Sequence, residues 1–405
     1  MRVLHLLGDR RLPPDPEAAS SSGVVRAALE FARAQAEHAH DVTIASVGAE
    51  QWETRWRGVR LTMRRGIPWA RVSVAGRSVD FRTHLAYMLY ATLLRPDVIH
   101  SHAYYYLRFL RAGRRVVHFH ADPMYSGRGD VRTDFSAADF ALVARHSDVQ
   151  IANSRFVAGQ VQSGLRGAGN VHTISYGVDH ARFDPHRAAE DAAQLRNAWG
   201  VRPDEPVLLY AGAIVPEKGV IHLARAYRRL GADAPHLVLA GGRTLWGGGI
   251  HHENDGGYDS TVYAELADGI ANGRVHPLGN VPADQMAAVY TAADILVVPS
   301  VWKEAFGMVA LEAAACGKPV IASATGGLAE AVTPDMGIQV PPGDEDALVN
   351  ALRALLGNAE RRRTLGEAAR AHAARFNWPT AAEQVEHLYS PPPTMHGRGV
   401  RRSTA

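Results

Sequence analysis

Two glutamates, Glu304 and Glu312, flank a short segment whose residue types are suited to binding a phosphate. The apolar run before them predicts a buried strand that ends at Pro299, and the following residues predict a helix that begins near Phe306 and Gly307. Backbone N–H groups in the first turn of a helix have no intrahelical acceptor, and together with the helix dipole they stabilise an anion. Here they belong to Gly307, Met308 and Val309. Glycine at the first of these positions lets a ligand approach the backbone closely.

The two carboxylates add a second kind of recognition to this segment. A carboxylate accepts two hydrogen bonds from neighbouring hydroxyls, so one of them could hold a ribose and the other a sugar on either side of the phosphate. The alternative is a helix with two ordinary surface glutamates. That alternative does not explain an acidic residue at the C-terminal end of a strand, where open α/β sheets bind ligands.

A lysine is predicted at the start of another helix. Residues 210–219 predict a strand, a turn at Gly212 and a helix with Lys218 in its first turn. The helix dipole opposes a cation there, but the cation becomes favourable if a diphosphate occupies the same helix end. Only three of the 44 basic residues are lysines, so a lysine inside a motif is less easily explained as an incidental surface cation.

Four histidines lie at the ends of two predicted strands, His100 and His102 on one and His118 and His120 on the next. Parallel neighbours would bring these ends to one edge of a sheet, and a spacing of two places each pair on one strand face. Zinc binding is one alternative, although no cysteine or other type of ligand joins them. A role in the core is favoured for His100 and His118, whereas His120 precedes a loop and is placed to face a cleft.

The elements that would position these residues alternate along most of the chain. Short apolar runs are followed by helical patterns, which is typical of a parallel α/β architecture. The 405 residues are too many for one ordinary core and fit two domains. The alternation is interrupted at residues 179–205, which contain prolines and little strand pattern. The sequence therefore predicts two Rossmann-like domains, residues 1–185 and 186–376, that face one another across a cleft.

Three further segments are singled out by composition. The glycine-rich residues 241–257 are long for an α/β loop, and they fit a mobile lid and a flexible insertion without a role equally well. Residues 391–405 predict a disordered tail. Residues 52–71 combine arginines with tryptophan and could contact an acidic lipid surface or an anionic acceptor. A solvated loop and edge strand is the favoured interpretation of that segment.

The overall composition excludes several classes of protein. Hydrophobic residues make up 46% and charged residues 21%, which is ordinary for a globular protein in water. The net charge is only +3, and no nucleic-acid-binding motif or zinc-ligand spacing is present. No apolar run reaches the roughly 18–20 residues that cross a bilayer. The single cysteine, Cys316, cannot form an internal disulfide, which predicts a cytoplasmic location.

The motif from Glu304 to Glu312, with the residues that follow it, resembles that of the retaining glycosyltransferases of family four, which have the GT-B fold. Other segments that match the family in order are residues 98–102, 153–154, 176–179, 217–219 and 293–300. The resemblance covers residues 1–390 and is most specific in the C-terminal half. It implies a last helix, residues 377–390, that crosses back onto the N-terminal domain.

The resemblance also implies a role for each residue of the C-terminal motif. Glu312 would hold the ribose hydroxyls of the nucleotide. Glu304 and the adjacent backbone would hold the donor sugar and the phosphates. That backbone segment consists of Phe306, Gly307, Met308 and Val309.

Four positions elsewhere in the chain match family residues as well. Lys218, in the same motif as Gly212, would neutralise the diphosphate leaving group. Gly23 matches an N-terminal glycine-rich loop that approaches donor and acceptor. His120 matches the family's cleft histidine near the 6-position of the sugar.

One position departs from the family pattern. The family usually has an arginine directly after Gly212, as the second cation of the diphosphate, whereas this sequence has Ala213. Arg243 and Arg26 are candidates to replace it. The departure leaves the donor open, with a UDP-sugar as the default and GDP- or dTDP-sugars as alternatives.

The expected reaction is transfer of a hexosyl group to a hydroxyl with retention at the anomeric carbon. The departing phosphate would act as the base. No cofactor or divalent metal is expected, since no Asp-x-Asp motif lies near the phosphate site. A small-molecule acceptor is favoured over a glycan or a lipid. The expected context is the synthesis of a specialised metabolite or of a cell-surface glycan. The protein is expected to be a monomer or a homodimer and to bind no nucleic acid. The alternatives are a non-catalytic nucleotide-sugar-binding protein and another GT-B activity such as epimerisation.

Overall fold

The computed structural model describes residues 1–8, 10–17, 22–66, 71–74, 77–103, 107, 110, 113–125, 135–231, 234–242, 244–245, 250–251 and 257–390. The tail predicted at residues 391–405 lies outside the described residues, as does most of the glycine-rich segment 241–257. Both interpretations of that segment therefore stay open. Within the described ranges, no helix combines the length and the apolar character that crossing a bilayer requires.

The first half of the chain is built around a large, mostly parallel sheet. Its strands are β1 (Arg2–Leu6), β2 (Asp41–Gly48), β3 (Trp52–Trp56), β4 (Val59–Arg65), β5 (Arg71–Val74), β6 (Arg77–Asp80), β7 (Val98–Ser101), β8 (Arg114–Phe119), β9 (Val149–Ala152) and β10 (Val171–Thr173). Its helices are α1 (Gly23–Glu37), α2 (Phe81–Leu94), α3 (Ala137–His146) and α4 (Arg155–Leu165). The sheet has the order β10-β9-β8-β7-β1-β2-β4-β3, while β5 and β6 form a separate hairpin. Only the edge strand β3 runs antiparallel to its neighbour in the large sheet.

The second half repeats this architecture with six parallel strands. Its strands are β11 (Val207–Ala211), β12 (His236–Ala240), β13 (Thr244–Leu245), β14 (Ile250–His251), β15 (Val275–Gly279), β16 (Ile295–Val298), β17 (Val320–Ser323) and β18 (Gly337–Val340). Its helices are α5 (Ala189–Ala198), α6 (Val220–Arg228), α7 (Tyr258–Glu265), α8 (Ala267–Ala271), α9 (Met286–Ala292), α10 (Met308–Ala315), α11 (Leu328–Ala331), α12 (Glu345–Leu356), α13 (Ala359–Ala373) and α14 (Trp378–His387). The six parallel strands have the order β15-β12-β11-β16-β17-β18, while β13 and β14 form a separate antiparallel hairpin.

The central strands are buried along their whole length, as in β7, β9, β11 and β16. Parallel strands that are covered by helices on both faces have nearly continuous apolar sequences, which is why these strands could be predicted. One apolar cluster continues from the N-terminal sheet through α1 and α14 into the C-terminal sheet. The predicted architecture of two Rossmann-like domains is thus confirmed, and the two domains share part of their core. The bounds given for them stay a prediction.

The last helix carries the chain back to the first domain, as predicted. The side chain of Asn377 caps α14, and Trp378, the first residue of the helix, is only 2% exposed. The ring of Trp378 meets the ring of Phe31 in α1 edge to face, with centroids 5.1 Å apart. Gln35 of α1 donates a hydrogen bond of 2.9 Å to the hydroxyl of Tyr389, just beyond α14. The helix is therefore docked on α1 by packing and by buried polar contacts.

Two segments contain more regular structure than their sequence patterns predicted. Residues 179–205 include the helix α5, which packs on α9 of the second domain. Residues 52–71 include two paired strands, β3 and β4, rather than a loop and one edge strand. In both segments tertiary packing determines the structure, because the local apolar pattern is weak.

Replacing Trp378 by alanine should lower the free energy of unfolding by about 3–5 kcal/mol, because it removes a buried aromatic ring from the contact between α1 and α14. Urea unfolding followed by circular dichroism measures this change. Gln384→Ala, on the exposed side of α14, is the matched control and should change the value by less than about 0.5 kcal/mol. Equal effects of the two substitutions would contradict the docking of α14.

Candidate active site

A cleft at the carboxyl ends of β8, β11 and β16 is lined by residues of both halves of the chain. Every residue that the sequence singled out for the site lines this cleft: Gly23, His120, Gly212, Lys218, Glu304, Phe306, Gly307, Met308, Val309 and Glu312. The structure therefore brings the predicted residues together. The group that each of them binds stays a prediction.

The anion-binding element of the cleft is the start of α10. The helix begins at Met308, slightly later than the sequence predicted, because Gly307 adopts a left-handed conformation with φ 92° and forms the N-cap. A Cβ at this position would lie 2.6 Å from Cδ1 of Leu328, so only glycine fits without displacement. The N–H groups of Met308 and Val309 belong to the first helical turn and have no acceptor within the helix. They are available to an anion in the cleft.

The sequence predicted Lys218 in the first turn of a helix, and this placement is wrong. Lys218 instead lies in a 3-10 turn, Pro216–Lys218, that precedes α6. Gly219 ends this turn with φ 64°, and α6 then begins. A Cβ on Gly219 would lie 2.1 Å from the carbonyl oxygen of Pro299, so the loop after β11 is in backbone contact with the loop after β16. This contact carries Lys218 to the segment that contains Glu304.

Glu304 is 7% exposed and is held by two polar neighbours. Lys218 Nζ lies 2.6 Å from its Oε1, and the hydroxyl of Ser300 donates to the same oxygen at 2.7 Å. Burial by itself raises the pKa of the Glu304 carboxyl, but the ion pair and the hydrogen bonds outweigh burial, so the pKa lies below its ordinary value. Glu304 is therefore ionised in the folded protein.

The pKa of Glu312 is shifted in the opposite direction. Its Oε2 accepts a hydrogen bond of 2.8 Å from the hydroxyl of Tyr290. Burial raises the pKa of Glu312 above its ordinary value, although Tyr290, Arg26 and Arg182 act in the other direction. The cleft thus contains one carboxylate stabilised by a cation and one that is poorly stabilised until a ligand arrives.

The N-terminal domain forms the opposite wall of the cleft. Ser22 caps α1, and a Cβ on Gly23 would lie 3.8 Å from Sδ of Met308, so the starts of α1 and α10 face each other closely. Arg26, one turn into α1, also lines the cleft. It is one of the two cations that could replace the arginine missing at Ala213, whereas Arg243 lies outside the described residues.

His120 reaches the cleft from the end of a line of stacked histidines. Its Nε2 lies 2.7 Å from Nδ1 of His102, and its Nδ1 is hydrogen bonded to the hydroxyl of Tyr176. His100 and His118 are fully enclosed, in agreement with the core role favoured for them. Burial, followed by the effect of His118, lowers the pKa of His120 well below its ordinary value, so the ring is neutral.

Three residues of the site were missed by sequence reasoning. His5 extends the line of histidines, Tyr176 contacts His120, and Tyr290 orients Glu312. A signal for His5 did exist, because it is a histidine inside the apolar run at the start of the chain, and it is the register partner of His100. Tyr176 begins the segment 176–179 that matches the family, but nothing near it in the sequence indicates its contact with His120. Tyr290 has no local signal, since it meets Glu312 only in the folded chain.

Comparison with known proteins places the two halves of the chain in related groups. Residues 21–182 match the model of Glycosyltransferase Family 4, and residues 191–372 match that of Glycosyl transferases group 1. D-inositol 3-phosphate glycosyltransferases are among the similar curated proteins. That of Kribbella flavida is 37% identical over 54% of this chain and 50% of its own length, and that of Nocardia farcinica is 34% identical over 61% and 53%. The chain spans about half the length of these relatives.

Solved structures show the same fold. The sucrose-phosphate synthase of Thermosynechococcus elongatus superposes with a TM-score of 0.76 at 24% identity, over 96% of this chain and 98% of that one. The Anabaena protein HepE, solved with UDP-glucose, superposes with a TM-score of 0.70 at 20% identity, over 96% and 98%. Both have two Rossmann-like domains in the same arrangement.

Glu312→Gln should stabilise the ligand-free protein at pH 7 by on the order of 1 kcal/mol, because the amide keeps the Tyr290 hydrogen bond without a buried charge. Because the pKa of Glu312 is raised in the folded protein, ionisation of Glu312 lowers the free energy of unfolding. This destabilisation is absent below the ordinary pKa of glutamate and develops as the pH rises. Urea unfolding at pH 7 and pH 4 should therefore show the difference only at pH 7.

Glu304→Gln is the matched control for this prediction and should act in the opposite direction. Its lowered pKa means that the carboxylate stabilises the fold at neutral pH and loses that effect as the pH falls through the folded-state pKa. The substitution should destabilise the protein at pH 7 by roughly 1–3 kcal/mol, since Lys218 loses its charged partner. Changes of the same sign in the free energy of unfolding of both variants would contradict the opposite pKa shifts of the two carboxyls.

Proposed function

Because the chain belongs to the family-four glycosyltransferases, enzymes of GT-B fold that use nucleotide sugars, we propose that it transfers a hexosyl group from a UDP-sugar to an acceptor hydroxyl with retention of configuration. The observation that carries the proposal is the arrangement at one point of the cleft. The start of α10, the Lys218–Glu304 ion pair and the carboxyl of Glu312 all meet there.

In the proposed complex the diphosphate binds at the N-terminus of α10. Met308 and Val309 supply backbone donors, and Lys218 supplies a positive charge from the neighbouring loop. Glu312, about one turn into the helix, accepts hydrogen bonds from the ribose, and Glu304 accepts them from the transferred sugar. The hydrogen bond from Tyr290 supports this orientation of Glu312, and the low pKa of Glu304 supports its role as an acceptor.

Catalysis would rest on stabilising the leaving diphosphate. As the bond between the anomeric carbon and the phosphate oxygen breaks, negative charge grows on the diphosphate next to Lys218 and the helix donors. The ammonium group of Lys218 has three N–H donors, so it can keep its contact with Glu304 and still bind phosphate oxygens. Arg26, which lines the other wall, would supply the positive charge that Ala213 does not.

Retention follows in this proposal from the position of the base. The departing phosphate takes the proton of the attacking hydroxyl on the face that it leaves, so that attack occurs on the same face. The side chains near the phosphate then only hold charge and orient the sugar. Neutralisation by protein groups also means that no divalent metal is proposed.

The acceptor class is proposed from the named relatives. Since D-inositol 3-phosphate glycosyltransferases are similar to this chain, small polyols and their phosphates are the first acceptors to test. A small-molecule acceptor would bind mainly to the N-terminal wall. Glycan and lipid acceptors form the second set of the panel.

A non-catalytic nucleotide-sugar-binding protein is a second candidate, and Ala213 is the observation that favours it. A protein that binds the donor without stabilising the leaving group would not need the second cation. The two candidates differ in turnover but not in donor binding.

Lys218→Ala should lower kcat by about 100- to 1,000-fold, because the growing charge on the diphosphate loses its nearest cation. Release of UDP from the donor in the presence of acceptor measures this loss. Arg228→Ala, at the far end of α6, is the control and should leave kcat unchanged. An equal loss of kcat in the two variants would contradict the role of Lys218. In a separate test of metal dependence, addition of a chelator should not lower the rate of the unmodified protein.

A thermal-shift screen should show a larger rise of the unfolding midpoint with UDP than with GDP, dTDP or ADP, because binding to the folded state alone stabilises it. NMR of the product should then show the anomeric configuration of the donor. A product of inverted configuration would contradict the proposed mechanism, and binding without turnover over the whole acceptor panel would favour the second candidate.

A further inference from the structure

Five histidines at the carboxyl ends of β1, β7 and β8 form one stack, which we call the histidine array. Its members are His5, His100, His102, His118 and His120. Rings in contact have centroids 4.3–5.4 Å apart and planes within 27° of parallel. The family resemblance implies a role in the cleft only for His120, so the other four buried rings need an explanation.

Metal binding does not explain the stack well. Two groups of three ring nitrogens lie within 4.8 Å of one another, which is close enough to consider a metal. The lone pairs of an imidazole lie in the plane of its ring, however, and stacked parallel rings direct them side by side rather than toward one point. The distance of 2.7 Å between His102 Nδ1 and His120 Nε2 is that of a hydrogen bond.

A first chain of hydrogen bonds runs through the array from Gln35 to the cleft. Gln35 Oε1 lies 2.8 Å from His5 Nε2, and His5 Nδ1 lies 2.9 Å from His102 Nε2. His102 Nδ1 lies 2.7 Å from His120 Nε2, and His120 Nδ1 contacts the Tyr176 hydroxyl. Both ring nitrogens of each histidine are thus used.

A second chain starts from the other atom of the same amide. Gln35 Nε2 donates to the Tyr389 hydroxyl at 2.9 Å, and that hydroxyl lies 2.8 Å from His100 Nδ1. His100 Nε2 lies 3.2 Å from His118 Nδ1. The chain ends there, because His118 Nε2 is buried without a hydrogen-bond partner in the described part of the chain.

The rings of the array are neutral. Burial lowers the pKa of every member, and neighbouring histidines add to this effect for all members except His5. The pKa is lowered to about 4 for His5 and to about 3 for His118. A neutral imidazole has one N–H donor and one acceptor nitrogen. In an unbroken chain of neutral rings, the direction of one hydrogen bond therefore determines the direction of all the others.

Gln35 sets that direction at the point where the two chains meet. Its Oε1 can only accept, so His5 carries its proton on Nε2, and the same follows in turn for His102 and His120. Its Nε2 can only donate, so the Tyr389 hydroxyl donates to His100 Nδ1. With this orientation of the amide, all five histidines are Nε2–H tautomers. The reverse orientation of the amide would make all five Nδ1–H tautomers.

We propose that Gln35 is a positioning residue for the cleft: through His5 and His102 it holds His120 as the Nε2–H tautomer, so that Nδ1 is a hydrogen-bond acceptor. Tyr176 donates to this nitrogen in the ligand-free protein. A ligand group that displaces Tyr176 must also be a donor, such as the hydroxyl of a neutral sugar. The carboxylate of a sugar acid does not meet that requirement. This specificity rests on the proposed transfer of a hexosyl group.

The tautomers can be observed directly by long-range ¹H–¹⁵N NMR of protein labelled in its histidines, with His120 assigned through a His120→Asn variant. The unmodified protein should show the proton of His120 on Nε2. Detection of the proton on Nδ1 would overturn the proposal. This measurement needs no turnover, so it stands even if the proposed function fails.

Two variants of Gln35 separate positioning from a structural role. Gln35→Met removes both polar atoms, and His120 should become a mixture of tautomers. Gln35→Glu keeps an acceptor opposite His5, and His120 should remain in the Nε2–H form. An unmixed Nε2–H form in Gln35→Met would overturn the proposal.

The same variants test whether the tautomer matters in the cleft. With UDP-glucose as the donor, kcat/KM should fall about tenfold in Gln35→Met and recover to within about threefold of the original value in Gln35→Glu. A mixed tautomer with unchanged kcat/KM would overturn the positioning role. An absence of turnover in the unmodified protein would instead contradict the proposed function.

Discussion

The ion pair between Lys218 and Glu304 is the contact on which the arrangement of the cleft depends. Lys218 follows β11 and Glu304 follows β16, and the close approach of Gly219 to Pro299 brings the two loops together. The charge of Glu304 would not be stable alone in this buried position, since an unpaired buried charge costs several kcal/mol. The pair therefore fixes the loop from which α10 begins, and with it the position of the helix donors. A charged ligand would enter a site whose own charges are already ordered.

The two carboxyls of the cleft are hydrogen-bond acceptors whose pKa values are shifted in opposite directions. Glu304 is kept ionised by Lys218 and Ser300, whereas burial disfavours the charge of Glu312. The buried charge of Glu312 lowers the stability of the ligand-free protein. Hydroxyl donors of a ligand would stabilise this charge and thereby strengthen ligand binding. The N-terminal wall contributes neutral histidines and Arg26 instead. The two walls thus differ in charge as well as in origin, and the return of α14 to α1 is one of the contacts that hold them together.

Local patterns in the sequence, together with the resemblance to a known family, predicted the fold and most of the residues that line the cleft. Buried parallel strands have continuous apolar sequences, and the motif around Gly307 contains strand end, helix start and both carboxyls within a few residues. What could not be predicted depends on contacts between distant segments. Gln35 meets Tyr389 across more than 350 positions, and no pattern near either residue indicates this contact. The 3-10 turn at Lys218 and the helix α5 were missed because packing, rather than periodicity, defines them.

The central claim is that the start of α10, Lys218 and the two glutamates form one donor site. A crystal structure of the protein with UDP-glucose tests it most directly. We expect the diphosphate to accept hydrogen bonds from the N–H groups of Met308 and Val309 and from Nζ of Lys218, with the ribose on Glu312 and the glucose on Glu304. A diphosphate bound away from α10, or a nucleotide in the reverse orientation with its ribose on Glu304, would contradict the account.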